Sequence, residues 1–379
     1  MSIILNLYII LSVSLALLYV VIILVYRKGW NDLPENETIP EDYLPTTNVS
    51  VLVAARNEEK CISSCIDSIK AQKFPVELLE IIVIDDHSTD RTYEVAVGRE
   101  IRVIQLSDYS EKGSKKKAIE TGIRFASGKL IVTTDADCIV PGEWLLNMVY
   151  FYETAHYKFI AAPVNFHQEQ NTFEKAQSLD FLGLMLITGA GIHKGFMHMC
   201  NGANLAYERE VFYQVGGFEG IDQLASGDDM LLMQKVALQF PGSLGFLKSR
   251  AATVLTTAKP TVKSFIYQRI RWASKTNSYK EFLVTAILAA VFLLCCNIIF
   301  SIFLIPFLGK TAIFVFLFQI LVKALMDYLL LQPAAVYFKR SELLAVFIPA
   351  FFGHILYMVI VGILANLVYN YEWKGRLVR

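Results

Sequence analysis

The sequence predicts an α/β domain, a mostly parallel sheet flanked by helices, joined to one transmembrane helix before it and about three after it. Composition is the first ground. The 379 residues are 54% hydrophobic and 18% charged, too apolar for an ordinary soluble enzyme and too charged for a bare membrane bundle. The second is alternation. Short β-rich runs (VSVLVAA, IIVIDD, IRVIQL, KLIVTTDAD, FIAAPV) are separated in the first half by helix-like stretches such as EEKCISSCIDSIKAQ and KKKAIETGIRFASG, the pattern of βαβ units. The third is a set of long segments almost free of charge. Formal net charge is zero, so nothing global points to nucleic acid. The six cysteines form no CxxC pair and read as reduced packing residues, not as a disulfide framework or zinc site.

Residues 1–26 carry no charge and are long enough to cross a hydrocarbon core of about 30 Å. A cleaved signal peptide would want positive charge before the apolar run and a small-residue cleavage site after it. Neither is present, so the segment reads as an uncleaved anchor, with Arg27 and Lys28 marking the cytoplasmic side. Residues 27–48, with Pro34, Pro40 and Pro45, read as a linker. The α/β domain is expected over 49–260 and an amphipathic interface helix, TVKSFIYQRIRWASK and beyond, over 261–280. Transmembrane helices are expected within 281–371, at about 282–308, 311–331 and 343–369, with KRSE (339–342) as a cytoplasmic turn and a basic tail at 372–379. Three C-terminal spans put that tail outside, against the positive-inside tendency, unless one segment is re-entrant or interfacial. Lys323 and Asp327 lie one helical turn apart inside a span, and self-pairing is the first reading.

In an open parallel sheet ligands bind beyond the carboxyl ends of the strands, and two acidic clusters fall there. In IVTTDADCIV, Asp135 and Asp137 follow an apolar run. Such a pair can grip one hard divalent cation; the bland reading is an exposed acidic turn. In VIDDHSTDRT, Asp85 and Asp86 end another strand. The following STDRT suits a capped helix start, which needs neither aspartate. AARNEE (54–59) reads as a helix N-terminus against which a nucleotide could lie. No Walker A motif and no GxGxxG occurs, so phosphates would need a metal. ASGDDMLLMQKV (225–236) is a glycine turn into a helix headed by two acids, suited to the helix dipole or to a general base. In QRIRW (268–272), a guanidinium suits a diphosphate. Residues 181–199 are apolar and read first as a buried helix and loop of the catalytic domain, second as the mouth of an acceptor site.

These five motifs, in this order and before a membrane tail, resemble glycosyltransferase family 2, the inverting transferases of GT-A fold. The likeness is to the membrane-anchored branch with cellulose-, chitin- and hyaluronan-synthase relatives and lipid glycosyltransferases. The resemblance implies that Asp85 and Asp86 contact the nucleoside while Ala55 and Glu58 line its pocket. Lys115 matches a lysine near the nucleotide, with Lys116 and Lys117 as alternatives. Asp135 and Asp137 would hold Mg2+ or Mn2+, with Asp135 also on the donor. Asp229 would be the base, with Asp228 in place of the usual glutamate. Arg271 would reach the diphosphate, and Asn204 (in NGANLAYERE), Asp228, Gln268 and Trp272 would lie on the acceptor side.

The function so implied is an inverting, metal-dependent transfer of sugar from a nucleoside-diphosphate sugar, a UDP-sugar by resemblance. The acceptor would be a lipid or lipid-linked saccharide at the cytoplasmic face of the plasma or inner membrane, in cell-envelope glycolipid or polysaccharide synthesis. A processive polysaccharide synthase and a non-catalytic membrane scaffold are the alternatives. Retention of Asp135, Asp137, Asp229 and Arg271 argues against the scaffold.

Overall fold

The structure, a computed structural model, describes residues 2–36, 38–196, 199–221, 227–273, 282–367, 371–373 and 376–378. Outside these fall Met197 and His198 of the apolar stretch, Ala225 and Ser226 of the glycine turn, the end of the expected interface helix (274–280), and Lys374, Gly375 and Arg379 of the basic tail. All six cysteines are thiols.

The chain opens with α1 (Ser2–Asp32), which continues six residues past the expected end of the anchor. It is succeeded by β1 (Val49–Ala55), α2 (Ile62–Lys70), β2 (Leu79–Asp85), α3 (Thr92–Val97), β3 (Arg102–Gln105), α4 (Lys115–Phe125), β4 (Leu130–Asp135) and α5 (Trp144–Ala155). Short strands β5 (Phe159–Ala161) and β6 (Val164–His167) lead to the long α6 (Thr172–Lys194). Next come β7 (Leu205–Glu208), α7 (Arg209–Gln214), α8 (Asp228–Gln239), β8 (Leu244–Phe246), β9 (Val254–Thr257) and α9 (Val262–Ala273). The remainder is helical, α10 (Phe282–Leu308), α11 (Lys310–Tyr337) and α12 (Phe347–Leu367), before a small hairpin of β10 (Tyr371–Trp373) and β11 (Arg376–Val378).

Contacts divide the chain into two units. One contains residues 33–168, 192–257 and 370–379. Its seven-stranded sheet runs β3-β2-β1-β4-β7-β5-β8. β1 is parallel to β2 and β4, β2 to β3 and β5 to β8, while β7 is antiparallel to β4 and β5. β1 is buried almost end to end because helices cover both faces of such a sheet, which is why VSVLVAA reads as one apolar run. α2 buries Ile62, Cys65, Ile66 and Ile69, a spacing of three and four that makes one apolar stripe. From β1 the chain steps outward to β2 and β3, then returns to the other side of β1 with β4. That reversal opens a crevice at the carboxyl ends of β1 and β4. Ala55 pairs with Asp85 and Ala54 with Asp135, so the two acidic strand ends flank the same pair of alanines. The expected linker is fastened here: Glu153 on α5 accepts from Tyr43 Oη (2.6 Å), Thr46 N (3.0 Å) and Thr47 Oγ1 (2.7 Å).

The other unit contains residues 1–32, 169–191 and 258–369. Residues 169–191, expected inside a contiguous α/β domain, group with the apolar helices. Among the described residues four helices are long and apolar enough to cross a membrane: 5–32, 282–308, 310–337 and 341–365. α11 extends beyond the expected 311–331, and α12 is preceded by a short 3-10 segment, Ser341–Val346. α1 is an integral part of this bundle. Tyr8 Oη donates to Ser301 Oγ (2.8 Å) and Asn297 Nδ2 to Ser12 Oγ (2.8 Å). Tyr19 Oη donates to Asp327, and Lys323 Nζ lies 2.5 Å from Asp327 Oδ2, the self-pairing expected. Lipid offers helices no hydrophobic reason to associate, so such buried polar contacts select the partners.

Candidate functional site

The loops after β1 and β2 are stapled together. Arg56 donates to the carbonyls of Asp86 (2.7 Å) and His87 (2.8 Å). Asn57 N donates to Ser88 Oγ (3.0 Å), and Thr89 N to Asn57 Oδ1 (2.8 Å). Glu58 N donates to Thr92 Oγ1 at 2.7 Å. Asn57 and His87, at φ 51° and 55°, hold left-handed backbone that side chains disfavour. The crosslinks stabilise it against that cost. Ala55 is buried, and its carbonyl accepts from Asp86 N (2.7 Å). Asp85 and Asp86 are both buried. Asp86 Oδ1 lies 3.2 Å from His87 Nδ1. Asp85 Oδ2 accepts from Ser88 N (3.3 Å), whereas its buried Oδ1 has no hydrogen-bond partner among the described residues. Burial holds the Asp85 carboxyl above the usual range, outweighing Ser88.

Beside them, α4 and α8 bring charged ends together. Ser114 caps α4 by accepting from Lys117 N (3.2 Å), which aims the first turn. Lys115 Nζ lies 2.5 Å from Asp135 Oδ1 and 3.7 Å from Asp228 Oδ2. Burial works against its charge, and Asp135 and Asp228 outweigh burial, holding the ammonium above the usual lysine range. Of the three lysines weighed from sequence, Lys115 meets the acids. Lys116 Nζ donates to Ile221 O (2.6 Å), and Lys117 Nζ reaches Ser110 Oγ (3.2 Å).

α8 is capped by Gly227, whose φ of 86° suits glycine. It presents Asp228 and Asp229 in its first turn. Asp229 Oδ2 accepts from Gly202 N (2.9 Å) and Oδ1 from Met230 N (2.8 Å), so its carboxylate is fixed at both oxygens. A Cβ added at Gly202 would lie 3.1 Å from Lys115 Nζ; the glycine lets backbone approach the cluster. Lys115, Thr133, Gly202, Asp228 and Asp229 line one small cavity.

Asp135, Asp137 and Cys138 offer ligand atoms within 4.8 Å of one another. Burial, then Asp137 and Asp135, pushes the Cys138 thiol well above its ordinary range. Two half-buried carboxylates offer the oxygen ligands that a hard cation such as Mg2+ or Mn2+ takes.

Two groups of expected site residues behave differently. Asn204, expected on the acceptor side, has no exposed atom. Its Oδ1 accepts from Trp144 Nε1 (2.8 Å) and its Nδ2 donates to Pro163 O (2.7 Å) and Ala252 O (2.8 Å). It is a structural tie, because both amide donors and the acceptor are occupied inside the core. Gln268, Arg271 and Trp272 lie on α9, which belongs to the helical unit. Gln268 Oε1 is buried without a hydrogen-bond partner among the described residues. The apolar stretch from residue 181 is largely buried helix, as in the first of its two readings, but up to residue 191 it groups with the apolar helices and not with the catalytic domain to which that reading assigned it. Arg56 and Gly202 were not singled out from sequence. An arginine beside the strand end and a glycine preceding a buried tie were the available signals.

Residues 50–216 match the family Glycosyl transferase family 2. The chain carries a glycosyltransferase family 2 domain. It is 30% identical over 101 residues to glycosyltransferase AglE of Haloferax volcanii, covering 26% of this chain and 33% of that one. It is 26% identical over 252 residues to a beta-monoglucosyldiacylglycerol synthase of Synechocystis, covering 63% and 50%. The chain thus spans a third to a half of these relatives' length. The solved mannosyltransferase PcManGT of Pyrobaculum calidifontis, in complex with GDP-Man and Mn2+, shares the fold with a TM-score of 0.56 at 21% identity, over 90% of this chain and 97% of that one. The family 2 domain of this chain therefore has the GT-A arrangement, with one N-terminal and three C-terminal apolar helices around it in sequence.

Proposed function

We propose that the protein is an inverting, metal-dependent glycosyltransferase that moves a sugar from a nucleoside-diphosphate sugar to a lipid or lipid-linked acceptor at the cytoplasmic face of the membrane. The observation that carries the reading is the convergence of Lys115, Asp135, Asp228 and Asp229 beside the β1/β4 switch point. A second support is Asp85 Oδ1, a buried acceptor with no donor among the described residues, which a base N–H or ribose hydroxyl supplies. The relative that makes beta-monoglucosyldiacylglycerol by name favours a lipid acceptor. Arg27 and Lys28 near the end of α1 favour the cytoplasmic side for the α/β domain.

In this reading Asp85 and Asp86 hold the nucleoside against the stapled loops, with Ala55 and Glu58 at the pocket wall. Asp135 and Asp137 would hold Mg2+ or Mn2+, which supplies charge for the leaving diphosphate. Lys115 contributes a second positive charge at Asp135, and Arg271 a planar one suited to phosphate. Asp229 takes the proton of the acceptor hydroxyl as it attacks the anomeric carbon from the opposite side. One displacement inverts that carbon, and no carboxylate nucleophile is needed. Gln268 Oε1 accepts from a hydroxyl of sugar or acceptor, with Trp272 beside it on the helix.

Detergent-purified protein, given a panel of UDP- and GDP-sugars with manganese or magnesium and a lipid extract, is expected to release nucleoside diphosphate from one donor. Asp229→Asn is expected to be silent. No release from any donor, together with no binding of UDP or GDP, overturns the reading. Long saccharide products would instead indicate a processive synthase.

A further inference from the structure

α9 carries Gln268, Arg271 and Trp272, but its fixed point within the helical unit is Arg269. That side chain is buried, with Nη2 at 2.7 Å from Asp180 Oδ2 on α6. The Tyr357 hydroxyl of α12 donates to the same carboxylate, 3.0 and 3.1 Å from its two oxygens. Three rings surround the guanidinium carbon: Trp272 at 4.4 Å, Phe265 at 4.9 Å and Tyr357 at 5.6 Å. Arg269 Nε has no hydrogen-bond partner among the described residues. One carboxylate and π faces therefore balance the charge, not a saturated set of acceptors.

A leucine would pack an interfacial helix with less desolvation cost than a buried arginine. What a guanidinium adds is direction. Its planar fork pairs with a carboxylate at one angle and stacks on a ring in one plane. Here the ring is Trp272 itself. The anchor also continues into the spans: Tyr357 lies one turn from His354, whose Nδ1 is 3.3 Å from Lys323 Nζ, the partner of Asp327. The contacts thus link α6, α9, α11 and α12.

We infer that Asp180, Arg269 and Tyr357 are positioning residues for sugar transfer: they fix the rotation of α9 and the plane of the Trp272 ring, and tie both to the membrane-spanning helices. The inference rests on the transferase reading for its link to turnover, though not for its geometry. A displacement near 1 Å costs about 100-fold in rate. Asp180→Asn and Arg269→Met are therefore expected to lower kcat by about 10- to 100-fold. They should also shift the Trp272 emission, taken as the difference from the same protein with Trp272→Phe.

Tyr357→Phe keeps the ring and loses the hydrogen bond, so it should fold and show a smaller change of both kinds. The double variant Asp180→Leu/Arg269→Met should be no slower than Arg269→Met alone. Rates are counted per folded molecule, from the monodisperse fraction. Unchanged kcat in these variants, with or without an emission shift, overturns the inference. If Asp180→Asn fails to fold, Tyr357→Phe decides by the same two readouts. A wild-type protein that turns over no donor, while the variants still shift the Trp272 emission, sinks the transferase reading and leaves the geometry standing.

Discussion

Asp229 is pinned by Gly202 N and Met230 N at the head of α8; exchange for asparagine keeps the side chain's size and one of these two bonds, through the amide oxygen, and removes the base. Turnover is expected to fall about 10²- to 10⁴-fold, the usual weight of a general base, with donor binding kept; nucleotide release and equilibrium binding measured side by side test both halves. Asp137 belongs to the proposed cation pair. Chelation of the wild type should abolish transfer and added Mn2+ restore it, while Asp137→Asn should need a higher metal concentration for half-maximal rate. An equal metal requirement in the variant would remove Asp137 from the ligand set. The paired acids were legible in the sequence because chemistry, not folding, asks for carboxylates at a strand end. Which of Lys115, Lys116 and Lys117 meets them was not, since the rotation of α4 is decided by its cap and by the sheet beneath. The packing of Asn204 was hidden for a related reason: a polar residue in a motif looks like a ligand until burial shows its amide occupied by Trp144, Pro163 and Ala252.

The elements were read well where one periodicity ruled, as in β1 and α2, and less well where distant contacts decide an end. α1 outlasts its uncharged run because a helix ends by its contacts and caps, not where charge begins. The linker after it is held by Glu153. Burial alone would raise that carboxyl, but hydrogen bonds from Tyr43, Thr47 and Thr46 hold it below the usual range. The folded protein thus binds this proton less readily than the unfolded chain. Its stabilisation is complete above the ordinary glutamate value and is lost as pH falls through the depressed one. Melting temperature should therefore drop less steeply between about pH 5 and pH 3 in Glu153→Gln than in the wild type, and an identical acid slope would discount the clamp. Within the spans, Asp327→Asn would strand the fully buried Lys323. Breaking a buried pair costs about 3–5 kcal/mol, whereas Lys323→Met/Asp327→Leu should cost much less; thermal unfolding in detergent compares them.

At the scale of the whole chain, the expected succession of anchor, α/β domain and spans misses one interleaving. The helical unit is assembled from residues 1–32, 169–191 and 258–369, so most of α6 folds with helices distant from it in sequence. Sequence reading runs along the chain and sees α6 as one more apolar helix of the catalytic segment. Its partners appear only in space: a Cβ added at Gly29 would sit 3.0 Å from that of Ala190, and Phe181 lies 6.2 Å from Trp272 between ring centroids. Trimming the membrane helices to obtain a soluble catalytic fragment, residues 33–257, would therefore keep α6 and discard α1, α9 and α11. Phe181, which meets Trp272, would lose cover worth about 1.5–3 kcal/mol, and α6 would also be uncovered at Gly183 and Ala190, which approach Leu331 and Gly29; apolar surface so exposed is a known route to association. The fragment is expected to elute as aggregate without detergent and to become monodisperse with it, read by size-exclusion chromatography with light scattering. A monodisperse detergent-free fragment would mean that α6 finds its cover within residues 33–257.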